Sequence, residues 1–257
     1  MVFQGLGKEQ AEEKWRPFQN WIKQNASNYT VEMPLTIIEL PARSLWDIDF
    51  LKENAPQLIT SDSRPEAPAH NVYWASNQDE AGQFLYAYHS LWMPQSLLET
   101  KRQTDLVEAL FNASRHWTLS LHFNKGLAGA KEEEILAAKD TAINPAVLDA
   151  FALAIVAGEG PPSFVGIAGH QPDMNEARRG AAKIDKSISE LKKVAPNTGS
   201  YLSESNFFEK DWQHSFWGTN YPKLSMIKKK YDPEGLFFVH HGVGSEAWSA
   251  DGFSRVS

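Results

Sequence analysis

Helix-like and strand-like patterns interleave along this chain without a regular strand–helix–strand beat, and that irregularity limits the fold more than any other feature. A doubly wound parallel sheet needs the beat, and a helical bundle would show no period-two stretches. The clearest such stretch is WTLSLHFN, residues 117–124. Leu119, Leu121 and Phe123 share one parity there, and Ser120, His122 and Asn124 share the other, so one face is core and one polar. Lys125 would point to the opposite face, and Gly126 and Gly129 follow as turn residues.

Helical spacing predicts a helix over 8–24 through Trp15, Phe18, Trp21 and Ile22, interrupted or restarted at Pro17. It predicts two more over 78–92 and 104–115, a fourth over 131–140 and a long one from Met174 to Pro196. The apolar run AVLDAFALAIVAG, 146–158, also reads as a helix. Tyr29–Leu40 and 199–208 read as strands, Ser44 as the cap of a short helix, 60–70 as a loop, 221–233 as a helix, and 236–244 as a final short strand. With no obvious linker, the expectation is a single α+β domain over 1–257, an antiparallel β-sheet covered by helices.

Composition excludes several classes of function. The net charge is -7 and the one basic run, Lys228-Lys229-Lys230, lies in a helical pattern, which argues against a nucleic-acid partner. No stretch approaches the roughly 20 apolar residues of a membrane span, and no basic-then-apolar leader opens the sequence. The absence of cysteine removes disulfides, thiolate metal sites and a thiol nucleophile, and favours a cytoplasmic setting without fixing it. Nine tryptophans suit a large core or a pocket for a flat ligand.

Residues 217–238, WGTNYPKLSMIKKKYDPEGLFF, carry an Asn-Tyr pair before a helix that ends in Lys-Tyr-Asp-Pro and a Phe. With GSYLSES before it and HHGVGSEAWSADGF after it, this segment, about 198–245, resembles the C-terminal signature of berberine bridge enzyme-like FAD-linked oxidoreductases of the vanillyl-alcohol oxidase superfamily. Tyr221, Leu224, Ile227 and Tyr231 also recur at helical spacing, so much of the signature is architecture.

The resemblance implies a substrate-binding domain whose sheet forms one wall of a cavity. FAD would form the other, held by a separate FAD-binding domain that this sequence lacks. In such enzymes a small-molecule substrate gives a hydride to the flavin while a base takes a proton. By resemblance Tyr201 and Glu204 are the catalytic candidates; a core tyrosine and a solvated carboxylate are the plain alternatives. As a strand, 201–204 would put Glu204 on the face opposite Tyr201. His122, Asn124, Asn144 and Trp217 are candidates for substrate binding, and Asn220 and Tyr221 for contact with the flavin, Asn220 having helix capping as its plainer role. Adjacent His240 and His241 would point apart in a strand, so no metal site is expected. A chain without its flavin domain should bind that partner or self-associate, through Trp212, Phe216 and Trp217. Two alternatives stay open: a cofactor-free binding or non-redox cyclase protein, and an inactive remnant.

Overall fold

The computed structural model describes residues 5–124, 127 and 129–256, without the side chains of Gln78 and Asp79. Lys125 and Gly126 lie outside the described residues. The chain divides into two compact units, one ending at Gln78 and one beginning at Asp79.

In the first unit, α1 (Lys8–Gln24) runs through Pro17 without a break. Its aromatic side is extended by Tyr29, whose ring centroid is 5.1 Å from that of Trp21. Residues 29–40 form no strand, contrary to expectation, and Met33 and Ile38 stand well exposed. Period-two spacing needs a partner strand to bind its backbone groups, and this segment pairs with none among the described residues. α2 (Ile48–Asn54) is capped by Asp47, whose Oδ1 accepts from Phe50 N at 3.1 Å; Ser44 lies instead in a preceding 3-10 turn. β1 (Ile59–Ser61) and β2 (Val72–Trp74) pair antiparallel.

The second unit is an α+β layer. β3 (Phe84–Pro94), β4 (Ser120–Phe123) and β5 (Ala150–Gly160) form an antiparallel sheet in the order β3-β5-β4. α3 (Gln103–His116) and α5 (Met174–Val194) pack on one face. Leu91, Met93, Ala152, Ala154 and Val156 meet Leu106, Ala113, Ile184, Ile188 and Leu191 there. The predicted helices over 78–92 and 146–158 are therefore corrected to β3 and β5, while 104–115 is helical as expected. α4 (Glu132–Lys139) lies between β4 and β5 in sequence.

Close approach of the layers depends on small residues. The Trp117 indole lies over Gly158, where an added Cβ would fall 2.5 Å from its ring, and its Nε1 donates to Ala157 O at 2.7 Å. Ile184 is fully buried between helix and sheet. Ile184→Ala should destabilise this unit by about 3 kcal/mol through lost burial and the cavity left behind, read as a lower urea midpoint at unchanged slope.

After α5 the chain is mostly turns. α6 (Trp212–Trp217) and α7 (Tyr221–Tyr231) are joined by a 3-10 turn. Residues 199–208 and 236–244, expected as strands, are not strands. Asp232 closes α7 by accepting from Leu236 N at 2.8 Å and Phe237 N at 3.0 Å, and Gly235 turns with φ 66. That hydrogen bonding satisfies locally the amides a strand would have paired.

Candidate functional site

The sheet face turned away from α3 and α5 carries two full rows of side chains. Cross-strand partners share a face, so Ser90, Ile155 and Ser120 form one row and Trp92, Leu153 and His122 the next, with Tyr88 beside Ala157 one step along. Two strand spacings, about 10 Å, separate the outer strands, a span that suits a fused ring system. Leu153 and Ile155 make a buried apolar floor, and Ser120 and His122 stand exposed at the β4 side.

The β3 side is built by residues 199–204. Trp92 N donates to Gly199 O at 3.1 Å and Tyr201 N donates to Ser90 Oγ at 3.0 Å, which lays this segment along the strand. The chain then tightens into a 3-10 turn over Leu202–Glu204, with Glu204 N donating to Tyr201 O at 3.0 Å. Side chains three apart in such a turn lie on the same side. Tyr201 and Glu204 thereby both reach residues of the same β3 face, Tyr201 at Trp92 and Glu204 at Tyr88, where a strand would have parted them. The Tyr201 ring is 6.3 Å from that of Trp92, and Tyr88 Oη donates to Glu204 Oε1 at 3.2 Å.

Burial, reinforced by the charge of Glu204 and the hydrogen bond to it, pushes the Tyr88 phenol up to about 12. Tyr88 is therefore a fixed donor through the neutral range. Glu204 Oε2 has no protein partner among the described residues, and neither has the buried Trp92 Nε1. Helical spacing over 78–92 gives Tyr88 and Trp92 no sheet face to share, so neither stands out from the sequence. The usable signal was the parity of Tyr88, Ser90 and Trp92 in an aromatic-rich stretch.

The other candidates are distributed differently. His122 is on the face. Asn124 lies half-buried at the end of β4, its Nδ2 donating to Val147 O at 2.7 Å. Asn144 is buried; its Nδ2 donates to Ser215 O at 2.8 Å and its Oδ1 accepts from Ala146 N at 3.0 Å, capping a 3-10 turn at Pro145–Asp149. Trp217 is buried in a separate cluster with Trp212 and Phe216, so the partner surface expected at these three residues is corrected: all are at most 8% exposed. Exposed apolar side chains of this unit include Phe208, Leu236, Phe237 and Phe253.

Asn220 makes no side-chain cap; its Nδ2 reaches the carbonyls of Lys139, Thr141 and Ile143 and pins that loop. Tyr221 Oη donates to Glu246 at 2.6 Å and accepts from Gly244 N at 3.1 Å, and burial followed by the Glu246 hydrogen bond raises its pKa. The expectation that His240 and His241 point apart is also corrected. Their rings stack at 3.8 Å because His241 has φ 55 and the backbone is not extended. No cluster of three metal-ligating side chains occurs among the described residues.

The fold has solved counterparts. The VAO-type flavoprotein MtVAO615 from Myceliophthora thermophila matches with a TM-score of 0.60 at 19% identity, over 96% of this chain and 38% of that one. At that identity the likeness concerns the fold, which is the α+β fold of VAO-type flavoproteins. The sequence model described as "Berberine and berberine like" matches residues 200–244. An uncharacterized FAD-linked oxidoreductase of Arthroderma benhamiae is 48% identical over 66 residues, 26% of this chain and 11% of the relative. The VAO-type flavoprotein oxidase VAO615 of Thermothelomyces thermophilus is 46% identical over 63 residues, 24% and 11% respectively. Residues 200–244 are thus similar to berberine bridge enzyme-like proteins, and the aligned segment spans about a tenth of the length of these curated relatives.

The starts of α3 and α5 do not suit the pyrophosphate of a FAD. The dinucleotide sites that bind pyrophosphate at a helix start need a glycine-rich strand-to-helix turn and a bare N-terminus. α5 begins with Asp173 accepting from Asn175 N and Glu176 N, both at 2.9 Å, so its own carboxylate fills that position. α3 follows a 3-10 turn at Thr100–Arg102 instead of a glycine turn.

Proposed function

We propose that this chain is the substrate-binding part of an FAD-dependent oxidoreductase that oxidises a small organic molecule, with the FAD held by a separate FAD-binding domain on another chain or elsewhere in the same protein. The observation that carries the reading is the convergence of Tyr201 and Glu204 with Tyr88 on an apolar-floored sheet face. Names of relatives support the redox class, since both curated relatives are called flavoprotein or FAD-linked enzymes.

On this reading Leu153 and Ile155 receive an apolar ring, Tyr201 and Trp92 flank it, and His122 and Ser120 contact polar groups at the far side. Asn124, Asn144 and Trp217 act as supports of this wall, and Asn220 and Tyr221 hold the C-terminal segment in shape. Glu204 takes a proton from the ligand; a flavin, when bound, supplies the hydride acceptor. The exposed Phe208, Leu236, Phe237 and Phe253 suit burial against the flavin-holding domain or a second copy.

An absorbance spectrum from 350 to 500 nm after gel filtration tests this. The chain alone, mixed with FAD, is expected to elute colourless, and to elute with a flavin band once a FAD-binding domain from a berberine bridge enzyme-like relative is added. Flavin retained by the chain alone would overturn the separate-domain reading. No flavin band in either mixture would sink the redox reading.

A further inference from the structure

Tyr88 is the β3 residue whose side chain hydrogen-bonds the Glu204 carboxylate, and no comparison or sequence motif assigns it a role. It lies 116 positions before Glu204, on the central part of β3, and its hydroxyl donates to the carboxylate at 3.2 Å. The turn alone fixes only the backbone of Glu204. Among the described residues its side chain has one polar contact, the Tyr88 hydroxyl on Oε1, and the phenol cannot change roles because it stays protonated far above neutrality.

Resting on the reading of this face given above, we propose that Tyr88 is the positioning residue for Glu204: by donating to Oε1 it fixes the carboxylate over the sheet and leaves Oε2 as the oxygen that receives the ligand's proton. In that step a ligand O–H or N–H bond breaks, its electron pair stays on the ligand, and the proton forms the Oε2–H bond of a neutral carboxylic acid. The phenol keeps its own proton throughout.

The full chain labelled with 13Cζ-tyrosine tests the pairing without flavin or substrate. Seven tyrosines give seven signals, and the one missing in Tyr88→Phe is that of Tyr88. On acidification this signal is expected to move in a single step as its acceptor is neutralised. The step should vanish in Glu204→Gln and shrink in Glu204→Asp, which withdraws the carboxylate by one methylene. A flat Tyr88 signal in the wild type, or an unchanged step in Glu204→Gln with the other six signals in place, overturns the proposal.

In the flavin-loaded assembly, Tyr88→Phe should lower kcat about tenfold with KM little changed, as expected for one hydrogen bond to a charged group. A clear acid step with kcat unaffected by Tyr88→Phe would overturn the positioning role and leave the reading of the face standing.

Discussion

Gly199→Ala is expected to destabilise the second unit by about 3 kcal/mol or more and to unseat Tyr201 and Glu204 together. Gly199 has φ 77, and an added Cβ would lie 2.5 Å from both Ser215 O and Asn144 Nδ2. Neither neighbour can retreat cheaply. Ser215 O accepts from Ser200 N at 2.9 Å and from Asn144 Nδ2 at 2.8 Å, while the Gly199 carbonyl itself accepts from Trp92 N. The left-handed backbone costs a side chain about 1–2 kcal/mol, and relief of the clash breaks at least one of these bonds. Gly166→Ala is the control, since Gly166 has φ 85 with open space where its Cβ would stand. Equal urea midpoints for the two variants would refute the packing account.

In the assembled flavoprotein, Glu204→Gln is expected to lower kcat by roughly a hundredfold to ten-thousandfold, the usual worth of a positioned proton acceptor, with KM within a few-fold. The carboxamide keeps the shape and still accepts from Tyr88 through its oxygen, so the wall stays intact and only the proton step is lost. Tyr88 offers no substitute base at neutral pH, because burial and the neighbouring carboxylate hold its phenol up at about 12. Activity within twofold of wild type would remove Glu204 from the chemistry.

Much of the fold was legible where periodicity was unambiguous. Leu106, Val107, Leu110 and Phe111 announce α3, and the polar parity of Ser120 and His122 correctly marks the face opposite the helices. β5 was not legible. As the middle strand it has strand neighbours on both sides and apolar side chains on both faces, so it shows a continuous apolar run without alternation, and its alanines mimic a helix. β3 was lost for a related reason, since its large residues fall by chance at helical intervals as well as alternate ones. At the site, the resemblance pointed to Tyr201 and Glu204, but strand logic separated them. Nothing local in LSE signals the 3-10 turn, which is stabilised by contacts with Tyr88 and Ser90 more than a hundred positions away. Asn144 and Asn220 clip loops through their side-chain amides, a role that carries no distinguishing pattern in one sequence.

The sheet order β3-β5-β4 also sets a timetable for the growing polypeptide. The outer strands, 84–94 and 120–123, are synthesised before the strand that both of them need, 150–160. Until residue 160 is available each has unpaired backbone groups and an apolar face, the state in which chains stick to one another. Loop closure is then long-range on the β3 side, which slows folding. Tyr201 and Glu204 emerge some 40 residues later and settle onto a platform already made, so a chain arrested before residue 199 would contain the whole sheet and neither of these two side chains.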